Sequence, residues 1–165
     1  MAAKPVYIKA TFETPAGLAD EAAGILVAGG AFFFALMSLL CLLGALVGYK
    51  ARLEQDALTF TDNLFQGVFA DMDADYLVAV SNPDPHRRDP RAQASAFVVT
   101  VAELGRAKEK PAFRSALILL YLDGHFRASD HLFARTVFDR GIVSIDVQIS
   151  RDQGDWGVDH LNWRW

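Results

Sequence analysis

Asp71, Asp73 and Asp75 alternate like the opening of a calcium-binding loop, which makes them the first candidates for chemistry. Such a loop needs glycine at its sixth position and glutamate at its twelfth. Here those positions hold Tyr76 and Asn82, so the motif fails. The three carboxylates suit a helix start instead, where the positive end of the backbone dipole stabilises them. His125, His131 and His160 are the next candidates, as imidazole ligands, but no two have the i, i+4 spacing of a helical zinc motif. His86 falls in a charged stretch and is expected in water. Cys41 is the only cysteine, which excludes an intrachain disulfide framework and a Cys-rich zinc site. It lies in an apolar run that disfavours a thiolate, so it is expected to act as a small filler. The chain has no nucleophile elbow, P-loop or dinucleotide-binding glycine turn. No catalytic residue, metal or cofactor is expected.

Other residues suit contact better than chemistry. Gly44 and Gly48 form a GxxxG pair, and Gly24 with Ala28 and Ala31 with Ala35 repeat its spacing. Small residues four apart let another helix approach closely, which favours association in lipid. Phe32, Phe33 and Phe34 face several directions on a helix and could meet lipid, pigment or neighbouring helices. Trp156, Trp163 and Trp165 crowd the C-terminus. Trp156 is expected to cover the core. Trp163 and Trp165 are expected to make contacts, with a protein partner or with lipid headgroups.

These residues sit in a chain of 165 residues, enough for one ordinary domain. It is 52% hydrophobic, with a mean hydropathy of +0.17. Its 16 basic and 20 acidic residues leave a net charge of -4, without the basic excess that grips a phosphate backbone. Nucleic acid is therefore not an expected partner. From Ala22 to Tyr49 there is no Asp, Glu, Lys or Arg. As a helix this run is about 42 Å long, against a hydrocarbon core of about 30 Å, so it can span with tilt. A cleaved signal peptide would be shorter and nearer the N-terminus. The expected organisation is an N-terminal arm at 1–21, a transmembrane helix at 22–49 and an extramembrane head at 50–165. Lys4 and Lys9 on one side nearly balance Lys50 and Arg52 on the other, so the positive-inside rule barely orients the span.

In the head, Leu53, Ala57, Phe60, Leu64 and Val68 recur at helical spacing, which predicts that the span continues to a break at Gly67. A second helix fits Asp71–Val80, with Tyr76, Leu77 and Val80 inward. The stretch Ser81–Arg91, with three prolines, is expected to be an exposed loop. Thr100 and Glu103 have capping-box spacing, which predicts a helix that starts there and ends before Pro111. The period then changes to two. Strands are expected at Arg114–Leu122, His131–Asp139, Ile142–Ser150 and Trp156–Trp163, with turns at Asp123-Gly124, Asp139–Gly141 and Asp152–Asp155. Helices first and a four-stranded antiparallel sheet second make an α+β head.

Asn63–Gly67 with Asp73–Pro83, and Val137–Val147 with Gly154–Val158, resemble small membrane-anchored bacterial domains of the cystatin-like or nuclear-transport-factor-2-like class. The Pro-rich loop and Gly157, where that class has a lysine after the tryptophan, depart from its pattern. The resemblance implies helices lying across a curved antiparallel sheet and a head in the periplasm. It also implies where an isomerase-like site would lie: a cone between sheet and helices, with Tyr76, Tyr121, Asp146 or Asp159 as acid or base. Asp146 alternates with apolar residues and is expected to face away from the core.

Together these features lead to a non-catalytic, single-pass accessory or assembly subunit of a larger complex in the inner (cytoplasmic) membrane. Its partners would be the bilayer and other transmembrane subunits. Respiratory and photosynthetic electron-transfer assemblies contain subunits of this build. Its interface would use Gly24, Ala28, Gly44, Gly48, Trp163 and Trp165. The alternative is a membrane-anchored cone that binds a small ligand or isomerises it. A polar cavity in the cone would favour that alternative; a cone filled with Phe and Leu would favour the accessory subunit.

Overall fold

A computed structural model describes residues 16–83, 89–122, 124–152 and 154–165, with side chains from residue 30 onward except Leu122. The arm up to residue 15, His86, Asp123 and Gln153 lie outside the described residues, as do the side chains of Gly24 and Ala28. The chain divides into two compact units, Met1–Leu46 and Val47–Trp165.

The first long element, α1, is Ala16–Phe65. It starts six residues before the charge-free run, so residues 16–21, expected as part of the N-terminal arm, are helical. Pro15 immediately before it suits a helix start, and Ala16, Leu18, Ala19 and Glu21 are good helix formers. From Gly30 the helix is long and apolar enough to cross a membrane, with a window of mean hydropathy 2.4 that is 0% buried. Gly67 does not stop the chain outright. The helix loosens into a π-helical turn, Gln66–Ala70, in which Val68 and Phe69 are buried. Met72, at a φ of 56°, ends it and lets the Asp73 amide reach back to the Gly67 carbonyl.

Helix α2 is Ala74–Val80, and Asp73 caps it by accepting from the Tyr76 amide at 2.9 Å. Helix α3 is Pro90–Ala102, which corrects the expected helix from Thr100 to Pro111 and shortens the expected loop. Asp89 caps the Ala92 amide and Pro90 occupies the first turn, where its missing N–H costs nothing. Thr100 lies in the last turns, and its hydroxyl bonds back to the Phe97 carbonyl instead of capping.

Four strands follow: β1 Ile118–Leu122, β2 His125–Phe138, β3 Gly141–Asp152 and β4 Gly157–Arg164. They pair antiparallel in chain order. The head is thus an α+β fold, as expected, with shifted strand limits. Strand β2 starts at His125, paired with Leu122, and not at His131. The expected strand at Arg114 is only an isolated bridge to Phe133. Asp130 explains the interruption. Its fully buried carboxylate accepts from Ser115 Oγ at 2.7 Å and from the Ala116 amide at 2.8 Å, drawing that segment out of the ladder.

One face of the sheet carries Leu132, Ala134, Phe138, Val143, Ile145, Val147 and Ile149, all buried. Leu53, Ala57, Leu64 and Phe65 of α1 join that core, with Phe69, Leu77, Val98 and Val101. Phe69 sits among Phe65, Phe97 and Phe138, with ring centroids 5.3–6.1 Å away.

Candidate functional site

The four acid–base candidates do not converge. Tyr76 on α2 packs its ring under Gly67, where a Cβ would meet the ring atoms. Burial raises its phenol above the ordinary value of 10.0, which keeps it protonated. Tyr121 on β1 is 64% exposed, so it does not line the interior. Asp146 lies on the sheet face opposite the core, paired with His131 at 2.6 Å. Asp159 occupies an irregularity of β4, the extra residue between the pairs Ile149–Val158 and Gln148–His160.

Asp159 takes part in a clamp. Its Oδ1 accepts from Asn82 Nδ2 at 2.7 Å and from Ser150 Oγ at 3.0 Å, and Asn82 Nδ2 also donates to Ser150 Oγ. The Asn82 amide donates to the Val158 carbonyl. Gly157 is required here, because any Cβ would overlap the Asn82 carboxamide. The serine hydroxyl is both donor and acceptor within this knot, so the arrangement ties the end of α2 to the sheet rather than presenting a nucleophile. The histidines are dispersed: His125 pairs with Asp152 at 2.8 Å, His131 with Asp146, and His160 registers with Gln148. Among the described residues no three His, Cys, Asp or Glu side chains come together as a metal site.

The space between helices and sheet is filled by the Phe, Leu, Val and Ile side chains of the core. A groove of about 150 Å³ beside β4, lined by Leu77, Phe97, Val158 and the polar Ser81, Gln93 and His160, is below the size of ordinary small-molecule sites, about 300–1,000 Å³. Larger recesses, of about 420 Å³ between Asp62–Gln66 and Ala107–Lys110 and about 400 Å³ beside Arg114 and Phe133, bring together none of the four acid–base candidates.

The contact candidates are differently placed. Side chains from Ala31 to Arg52 are exposed throughout, including Phe32 at 71% and Phe34 at 73%. Gly44 and Gly48 have nothing within 4 Å of where a Cβ would stand, so their backbone is open to approach. Trp156 is buried, with its indole N–H unpartnered, and belongs to the core. Trp163 registers with Ile145 on the helix-facing side and is half-buried. Trp165 is 64% exposed and meets Trp163 edge to face at 5.9 Å. Its ring approaches Gly141, the residue paired with Phe138.

The sequence missed a second aromatic group, because its members come from distant segments. Tyr49 of α1 meets Phe126 at 6.0 Å, and Phe126 meets Tyr121 at 5.0 Å. The only advance signal was the apolar string Ile-Leu-Leu-Tyr-Leu of β1, with no polar alternation. The two aromatic groups lie at opposite ends of β2. No protein-family model, curated protein or solved structure matches the chain.

Proposed function

We propose that this chain is a single-pass accessory subunit that stabilises a larger complex of the inner membrane by packing and not by chemistry. The observation that carries this reading is the open, apolar surface from Ala31 to Tyr49, with Gly44 and Gly48 bare. The side chains from Ala31 to Val47 are exposed, and close helix approach is what small-residue pairs allow in lipid. The filled interior of the head supports the same reading over a ligand-binding cone. The head lies on the periplasmic side in this proposal, and electron-transfer assemblies are the first setting to examine.

Trp163 and Trp165 serve as a protein contact rather than a headgroup anchor. Tyr49 is beside Phe126, whereas Phe65 is 6.5 Å from Phe138 at the tryptophan end. Those two helix positions are about 24 Å apart along the axis, too far for one headgroup layer to hold both ends.

The test is purification in mild detergent with identification of the subunits retained. Gly44→Leu, and Trp163→Ala with Trp165→Ala, should lose partner subunits; Asp146→Asn, Asp159→Asn and His160→Gln should not. The opposite pattern refutes a packing role. A cysteine placed at Pro83 should react with an impermeant maleimide in intact cells, and reaction only after lysis reverses the orientation.

A further inference from the structure

The outward face of the sheet loses its polar residues at β1. Across β2–β4 that face is mixed: His131, Arg135, Asp146, Gln148, His160 and Asn162 predominate, with Phe133, Val137 and the exposed Ile142 as its apolar members. On β1 the same face carries Ile118, 58% exposed, and Leu120, 50% exposed, opposite Ser129 and Arg127. The other face of this hairpin also runs beyond the core. There Tyr121 is 64% exposed and Phe126 43%. A strand with apolar side chains on both faces and a core on only one of them has a second apolar medium to meet.

Tyr49 identifies that medium. It is the last residue before Lys50, the first charge after the apolar run, and its ring lies 6.0 Å from that of Phe126. Tyr49 and the hairpin belong to the same compact unit. The exposed tip is therefore continuous with the point where an embedded α1 would leave the hydrocarbon. Tyrosines concentrate at that depth because their rings are apolar and their hydroxyls wet, and Lys50 and Arg52 supply the flanking charges.

We propose that the β1–β2 hairpin is a second membrane contact: Ile118, Leu120, Tyr121 and Phe126 dip into the boundary between headgroups and acyl chains. The proposal rests on α1 spanning the bilayer but not on the accessory-subunit role. With the hairpin as a second foot, the head is held against the bilayer instead of swivelling on one helix.

The experiment uses the full chain in phosphatidylcholine–phosphatidylglycerol vesicles, with an environment-sensitive fluorophore on single cysteines. Native Cys41 reports the span. In a Cys41→Ser background, Ile118→Cys and Leu120→Cys report the hairpin, and Ile142→Cys, on the same face and somewhat more exposed, reports the far end of the sheet. Nitroxide lipids labelled at the headgroup should remove about half of the emission at 118 and 120, the depth of an interfacial element, and leave 142 unquenched. Nitroxide deep in the acyl chain should quench Cys41. Quenching of Cys41 without quenching at 118 and 120 overturns the hairpin contact while leaving the span intact. Shielding at 118 and 120 that arises only in the purified complex, and not in vesicles, assigns the patch to a protein partner and also overturns it. Failure to quench Cys41 removes the span on which the proposal stands.

Discussion

Phe33 lies 58% exposed on α1, whereas Phe69 in the π-helical turn is 1% exposed among three other rings. The two residues are chemically identical, yet one helps to close a core and the other covers nothing. The head from Val47 onward buries its own apolar side chains against its own sheet. The described part of the apolar helix buries none of its most hydrophobic window. A hydrophobic side chain therefore stabilises this molecule in two unrelated ways: by packing inside the chain, or by requiring something outside it. Composition alone merges the two classes, and the contrast between them can be broken or sharpened by substitution.

The largest effect is expected from Phe69→Ala, which leaves a cavity and should cost the head about 3–5 kcal/mol in denaturant unfolding of the detergent-solubilised chain. Phe33→Ala in the same assay should stay within about 0.5 kcal/mol. Equal losses would erase the distinction between the two regions. Next comes Asp130→Ala. It removes the acceptor of two hydrogen bonds and should cost about 2–3 kcal/mol. Hydrogen exchange should show the Ala116 amide losing protection while the β2–β3 ladder keeps it. A uniform loss would mean that the carboxylate supports the whole sheet and not one segment. Gly157→Ala forces the Asn82 carboxamide away and should cost about 1–2 kcal/mol by overpacking, with exchange rising at the Asn82 amide.

The smallest effect is expected from Tyr76→Phe, and it appears only in alkali. Burial raises the folded-state pKa of this phenol above 10.0, so the folded chain holds the proton that the unfolded chain releases. The resulting stability is complete below that value and is lost as pH rises through the folded-state pKa. Tyr76→Phe should flatten this alkaline decline, and an unchanged pH profile would show that the phenol is effectively solvated.

The long apolar helix and the α+β order were legible because both rest on local patterns: a run without charges, then a change of period from helical to alternating. The errors arose where a local signal had a competing meaning. Asp89-Pro90 is a cap followed by a first-turn proline, but the neighbouring prolines made it read as a loop. Thr100 and Glu103 had capping spacing, yet the helix carrying Thr100 had already begun ten residues earlier. The break before β1 was invisible because the carboxylate causing it, Asp130, belongs to the next strand. The small-residue pair Gly44 and Gly48 is visible from spacing alone, and the structure adds that nothing lies within 4 Å of either Cβ position. The Tyr49–Phe126–Tyr121 group is not visible in that way, since only the fold brings α1 beside the first hairpin.

The sheet order repeats the chain order, each strand lying beside the one before it. A meander of this kind needs no crossover connection, and each new pairing closes only a short loop. The head can thus assemble as a zipper during emergence from a ribosome or a translocation pore, every strand finding its template already in place. One tie runs against this order: the Asn82 amide waits for the Val158 carbonyl on the final strand. That late bond latches an early helix to the last piece of sheet, so the head is locked only after β4 has arrived.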